Sequence, residues 1–184
     1  CGIGFVVNMH GKKSHEVILN ALTILKNLSH RGGAGSEPST GDGAGILLQI
    51  PDKFFGQVCP AEGINLPKAG DYGVGMLFLP RDKQIRENCE KNIESMIKKE
   101  GQSVLGWRTL PINDSTLGNT ARLNCPFIRQ VFIGKSKDIK DELSFERSLY
   151  VIRKRCENLC DQLTETSPDY FYFASLSSRT IVYK

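Results

Sequence analysis

The chain has 184 residues, of which 40% are hydrophobic and 24% charged, with a net charge of +4. That balance suits one globular domain with a sizeable core, and the basic residues are too scattered to make a stripe for a nucleic-acid backbone. No apolar run approaches the ~18 residues of a membrane span, and no stretch reads as a signal peptide, so neither nucleic acid nor membrane is an expected partner.

Residues 2–8, Gly2-Ile3-Gly4-Phe5-Val6-Val7-Asn8, are apolar, β-branched and glycine-punctuated, and predict a strand. A turn around Gly11 follows, and Ser14 is placed to cap a helix whose apolar positions Val17, Leu19, Ala21, Leu22, Ile24, Leu25 and Leu28 keep helical spacing up to His30-Arg31-Gly32-Gly33. Ile46 to Ile50 predicts a buried strand stopped by Pro51, with one helical turn after it at Asp52 to Phe55. Residues 59–71 read as loop, and Tyr72 to Leu79 as a second core strand. A helix from about Asp82 to Glu100 presents Ile85, Cys89, Ile93, Met96 and Ile97 on one face. Val104 to Ile112 predicts a strand, 113–126 a polar loop, and Phe127 to Ile133 another strand. Ser144 is placed to cap the longest helix, to about Leu163, with Phe145, Leu149, Ile152, Cys156, Leu159 and Leu163 along one stripe. Residues 169–176 and 179–183 predict a hairpin turning at Ser177-Ser178. This mixed order implies sheets covered by helices, either α/β or layered α+β.

Six cysteines punctuate the chain: Cys1, Cys59, Cys89, Cys125, Cys156 and Cys160. None has C-x-x-C spacing and the histidines do not complete a ligand set, so no metal site is expected. Without a secretory signal, free thiols in a reducing, cytoplasmic compartment are the expectation. Cys1 differs from the rest. Translation begins at Met, so a chain beginning at Cys1 is expected to have been processed or numbered from a cut. A terminal cysteine carries a thiol and a free α-amine, which titrate near ~8.5 and ~8, so the residue holds a nucleophile and a base together. The plain alternative is a small buried hydrophobe at a boundary.

Glycine is densest at Gly32, Gly33, Gly35, Gly41, Gly43 and Gly45. The spacing is wrong for a dinucleotide fingerprint and lacks the Gly-Lys-Ser/Thr of a phosphate loop, which leaves tight turns and close backbone approach near a site. Asp42 reads either as a site carboxylate or as a local turn acceptor. Arg31, after His30 and before two glycines, is a candidate carboxylate clamp or a solvated helix-end charge. A Cys/His dyad through His30 has no supporting spacing.

Several of these stretches together carry a resemblance. Cys1-Gly2-Ile3-Gly4-Phe5, Leu28-Ser29-His30-Arg31-Gly32-Gly33, Thr40-Gly41-Asp42-Gly43-Ala44-Gly45-Ile46-Leu47, Gly106-Trp107-Arg108, Phe145-Glu146-Arg147 and Ser175-Leu176-Ser177-Ser178-Arg179-Thr180 run in order along the chain. In that order they resemble the class II glutamine amidotransferase domain of the glutamate synthase family, large subunit. The resemblance implies an α+β, four-layer αββα N-terminal-nucleophile hydrolase sandwich, of which residues 1–184 are the N-terminal part. It implies Cys1 as the nucleophile on L-glutamine and Arg31 near it as a substrate contact. It implies ammonia release toward a downstream synthase domain of the same polypeptide, where FMN and an iron–sulfur cluster serve amination of 2-oxoglutarate. An electron-donor subunit is a further implied partner, and no cofactor is expected in this segment.

In that family a His-Ser-Arg segment, an Asn-Gly oxyanion pair and a substrate-binding Asp follow the final Tyr-Lys. The isolated 184 residues are therefore expected to be a poor catalyst, since one oxyanion donor is worth about 100- to 1,000-fold in rate. The alternative reading is a non-catalytic structural or regulatory module that keeps the scaffold.

Overall fold

The computed structural model describes residues 2–33, 35, 37, 39–41, 43–164 and 171–184. Cys1 and Asp42, and the first two residues of the predicted 169–176 strand, lie outside the described residues. In chain order the elements are α1 (His15–Asn27), β1 (Ile46–Gln49), α2 (Asp52–Val58), β2 (Tyr72–Leu79), α3 (Lys83–Lys99), β3 (Ser103–Thr109), α4 (Asn119–Leu123), β4 (Phe127–Gly134), α5 (Glu142–Thr164), β5 (Tyr172–Ser177) and β6 (Thr180–Tyr183). They fall into two compact units, one of residues 1–48 with 113–125 and Lys184, the other of 49–112 with 126–183.

The larger unit is built on an antiparallel sheet in the order β3-β4-β2-β5. All eight residues of β2 are buried, because the strand is central and covered on both faces. Successive side chains point to opposite faces. Leu77 and Leu79, with Val131, Ile133 and Phe173 of the neighbouring strands, form one core with Cys89, Ile93 and Ile97 of α3 and Phe145, Leu149 and Ile152 of α5. The helix residues recur at three- and four-residue steps, which puts them on one stripe facing the sheet. Each such fully buried side chain contributes about 1.5–3 kcal/mol.

The helices start where short acceptors meet free backbone donors. Asp82 Oδ1 accepts the Ile85 N–H at 2.8 Å and caps α3. The cap of α5 is Asp141, not Ser144: Asp141 accepts the Ser144 N–H at 2.8 Å and the Ser144 hydroxyl at 2.6 Å. A carboxylate three residues before a serine outcompetes the serine, because it accepts both donors at once.

The opposite face of the same sheet carries Tyr72, Val74, Met76, Gln130 and Phe132, and is buried as well. Phe55 of α2 meets the Phe132 ring edge-on, 5.2 Å between centroids. Arg108, only 8% exposed, donates to Gln130 Oε1 at 3.1 Å, and Gln130 Nε2 lies 3.1 Å from the Tyr183 hydroxyl. Both ends of the buried amide are thereby satisfied. The β5–β6 turn is clamped from α5: Glu146 accepts the Ser178 N–H and hydroxyl and the Ser177 hydroxyl.

The smaller unit contains α1, the glycine-rich stretch and α4. Residues 2–8 are extended but form no ladder among the described residues, so the predicted strand is not made. A strand needs a partner for its backbone groups, and the described chain offers this segment none. It runs instead along α1. The chain as a whole is α+β with antiparallel sheets, as expected.

Candidate active site

Gly2 and Gly4 report where the N-terminal stretch lies. A Cβ on Gly2 would fall 2.9 Å from Leu28 Cδ2, and one on Gly4 would fall 2.7 Å from Ile24 Cγ2. Two extended residues span about 6.6 Å and four helical residues about 6 Å. The segment therefore runs antiparallel to α1 with its glycine face against the helix. The other face, Ile3, Phe5, Val7 and Met9, is solvent-exposed. The residue following Cys1 is thus seated at the C-terminal end of α1, on Leu28.

That same end leads into Arg31. A single 3-10 turn, Ser29–Arg31, closes with Arg31 N–H donating to Leu28 O at 2.8 Å and Gly32 N–H to Ser29 O at 3.1 Å. Arg31 is exposed there, three residues past the side chain on which Gly2 packs. Gly2 and the Arg31 N–H thus both meet Leu28, one at its side chain and the other at its carbonyl; Cys1 itself, the predicted nucleophile, is outside the described residues. His30 Nδ1 lies 3.0 Å from Asn27 O, a contact in which the ring nitrogen donates. That holds the ring against its own helix end; Cys1, the other member of the Cys/His dyad, lies outside the described residues.

Beyond Arg31 the glycine-rich stretch closes on itself. Gly35 N–H donates to Thr40 O at 2.7 Å, and Thr40 N–H to Glu37 O at 2.9 Å. A Cβ on Gly41 would lie 2.9 Å from the Gly33 carbonyl oxygen, so only glycine lets these two backbone segments meet. None of the described glycines of this stretch has a left-handed backbone. Gly41 thus serves close approach, one of the roles the spacing predicted, whereas a Cβ on Gly43 would meet open space.

The loop is then tied to residues 113–125 by a carboxylate. Glu37 accepts the Thr40 hydroxyl at 2.6 Å and the backbone N–H groups of Asn119 and Thr120 at 3.0 Å each. Gly118 N–H donates to Ser39 O at 3.1 Å beside it. The Thr40 hydroxyl first, and then the Thr120 N–H, hold the Glu37 carboxyl below the usual carboxylate range. Nothing in the local sequence marks Glu37, whose partners Asn119 and Thr120 stand 82 and 83 residues further on. The region 113–126, expected as plain loop, supplies α4 for this purpose.

Of the five described cysteines, Cys59, Cys89, Cys156 and Cys160 are buried, and Cys125 is half-buried. Burial pushes the Cys156 thiol up to about 12 and raises that of Cys59. Cys89 is lowered by a hydrogen bond with Cys160, but both are fully buried beneath α3 and α5. A cleft of about 690 Å³ in the larger unit, bordered by Lys68, Asp71, Ser103, Lys135 and Lys137, contains none of the predicted site residues. Among the described residues no three His, Cys, Asp or Glu side chains gather as a metal site, and no helix is long and apolar enough to cross a membrane.

Comparison with known proteins gives this arrangement a family. The glutamate synthase [NADPH] large chain of Bacillus subtilis (strain 168) is 54% identical over 184 residues, all of this chain and 12% of that protein. Ferredoxin-dependent glutamate synthase 2, chloroplastic, of Arabidopsis thaliana is 42% identical over 184 residues, again all of this chain and 11% of that protein. The glutamate synthase [NADPH] large chain of Azospirillum brasilense is 37% identical over 187 residues. The chain thus spans about one eighth of the length of the relatives it matches. The model of the family described as glutamine amidotransferases class-II matches residues 1–184. From its first residue to its last, this chain belongs to the class II glutamine amidotransferases.

Proposed function

We propose that this chain is the nucleophile-bearing part of the glutaminase domain of a glutamate synthase, with L-glutamine as substrate. The observation that carries the reading is the full-length match to glutamate synthase large chains, 54% identical in one case. The chain's own residues supply the first half of the chemistry. The Cys1 α-amine takes the thiol proton, directly or through one water, and the thiolate attacks the side-chain amide carbon of glutamine. The C–N bond breaks as the leaving nitrogen receives a proton from the same ammonium, giving ammonia and a γ-glutamyl thioester. Water then adds to the thioester, the C–S bond breaks, and glutamate leaves with the thiol restored. Arg31, exposed beside the seat of Gly2, binds the substrate α-carboxylate.

Ammonia passes to a synthase region outside these residues, which carries FMN and an iron–sulfur cluster and aminates 2-oxoglutarate. The domain completes the four-layer αββα sandwich with polypeptide beyond the described elements, and the protein works in the cytoplasm. NADPH- and ferredoxin-named relatives both match the chain over its whole length, which supports reading this segment as a part common to both, with the choice of electron donor made elsewhere.

The test uses the full-length protein. A glutamine-analogue electrophile should label Cys1 ahead of the other five cysteines. Cys1→Ser should lower glutamine-dependent glutamate formation by at least about 1,000-fold, with ammonia-dependent formation intact. Wild-type activity in Cys1→Ser would overturn the assignment. An N-terminal extension by one residue that left glutamine hydrolysis unchanged would remove the α-amine from its role as base.

A further inference from the structure

Arg31 and the seat of Gly2 are exposed features at the end of a short helix, and something has to hold the loop that follows them. The described contacts form one continuous chain. Gly2 lies on Leu28; Arg31 closes the next turn onto Leu28 O; the loop beginning at Gly33 folds so that Gly33 O meets Gly41 and Gly35 bonds Thr40. Thr40 in turn is held by Glu37, and Glu37 is held by the two first backbone N–H groups of α4. Apart from the packing of Gly2 on the Leu28 side chain, every step is a hydrogen bond or a backbone approach, and every residue belongs to the same compact unit.

Glu37 is the only carboxylate in this chain of contacts, and it takes three donors from two segments far apart in sequence. Its fit is close from the other side as well. A Cβ on Gly118 would lie 2.2 Å from Thr40 Oγ1 and 2.6 Å from Glu37 Oε2, so the segment before α4 approaches as near as backbone allows. From this geometry we infer that Glu37 is a positioning residue for the glutamine site. It fastens the glycine loop to residues 118–120 and so fixes the placement of Arg31 and of Gly33, Gly35, Thr40 and Gly41 around the substrate. Glu37 makes no contact with the reacting atoms. Its effect runs through the loop, where a displacement of about 1 Å is enough to cost orders of magnitude in rate. The inference rests on the glutaminase reading above.

Full-length protein carrying Glu37→Gln keeps the side-chain shape but turns one acceptor oxygen into a donor facing donors. Its rate of Cys1 labelling by the glutamine-analogue electrophile should fall about 10-fold. The loss in glutamine hydrolysis should appear mainly in KM. Labelling of Cys1 by iodoacetamide, which uses no glutamine contacts, and ammonia-dependent glutamate formation should stay at wild-type rates. Glu37→Asp should recover part of the loss, and Gly118→Ala, which wedges the same contact from the opposite side, should reproduce it. Wild-type labelling by the glutamine analogue in both Glu37→Gln and Gly118→Ala overturns the inference. So does an equal fall in iodoacetamide labelling, which would make Glu37 a general stabiliser. If the wild-type protein itself reacted with iodoacetamide but not with the glutamine analogue, the functional reading would fail and this inference with it.

Discussion

The two units of this chain are held together by different physics. In the larger one, α3 and α5 each bury an apolar stripe on a four-stranded sheet, and β2 has no exposed residue. In the smaller one α1 has no buried residue, and order comes from glycine-enabled backbone approach and from the Glu37 carboxylate. Apolar burial stabilises in proportion to area and tolerates small shifts of position, whereas hydrogen-bonded loops are cheap to open and demanding in geometry. Stability is thus concentrated in one unit and the candidate site in the other. Substitutions should separate the two properties.

The largest effect should come from the helical layer. Phe145 is fully buried between α5 and the sheet. Phe145→Ala should cost about 3–5 kcal/mol, read as a lower denaturation midpoint. The molecules that remain folded should label at Cys1 with the glutamine analogue at the wild-type rate. A labelling rate that fell in step with stability would merge the two units energetically and break the comparison.

Gln130 tests the opposite face of the same sheet. It accepts from the Arg108 guanidinium and also reaches the Tyr183 hydroxyl. Gln130→Leu preserves volume but strands a nearly buried cation, at a cost of about 1–3 kcal/mol. The double variant Gln130→Leu with Arg108→Met should regain stability, because a polar pair removed together leaves no orphan. Failure to regain it would show that Arg108 contributes through packing on Phe54, whose ring centroid lies 5.7 Å away.

The smaller unit should respond in the opposite sense, with little loss of stability and a large loss of reactivity. Gly41→Ala drives a methyl group to 2.9 Å from the Gly33 carbonyl oxygen, for about 1 kcal/mol of stability. Glutamine-analogue labelling should nevertheless drop by about 10-fold or more, since the displaced backbone adjoins Arg31. Gly43→Ala is the control: nothing lies within 4 Å of its Cβ, and stability should stay within about 0.5 kcal/mol. Equal behaviour of the two variants would remove close approach as the reason for glycine at 41.

These differences also explain what was legible in the sequence. The boundaries of β2 and the buried faces of α3 and α5 follow from periodicity, because burial on one face writes a pattern into neighbouring residues. The glycine density around Gly41 was legible as close backbone approach, which Gly41 makes against the Gly33 carbonyl oxygen. Residues 2–8 misled, since an apolar alternating stretch states a preference for extended backbone but cannot state its partner. Asp141 displaced Ser144 as the cap of α5 because two good caps stood three residues apart, and only the geometry chooses between them. Glu37 and α4 were invisible: a carboxylate in a polar loop carries no signal for backbone donors 82 residues away.

The smallest effect separates charge from shape at that same cap. Asp141 is held below its ordinary value of 3.8 by the Ser144 hydroxyl and then by the Ser144 N–H. A carboxyl depressed by folding lends stability that is complete above its unfolded value and is lost as pH falls through the lower folded value. The contribution of Asp141 should therefore be full at neutral pH and vanish in strong acid. Asn is almost as good a cap in shape but carries no charge. Asp141→Asn should lower the urea midpoint at about pH 7 and converge on the wild type near pH ~2, giving a shallower stability–pH curve below pH ~4. Two parallel curves would mean that ionisation of Asp141 contributes nothing and that shape alone makes the cap. In the smaller unit Glu37 has the same sign, depressed from 4.5, so acid should open the glycine loop as well. Cys1 labelling by the glutamine analogue, corrected for thiolate content, should then fall with the loop at a pH where the larger unit is still folded.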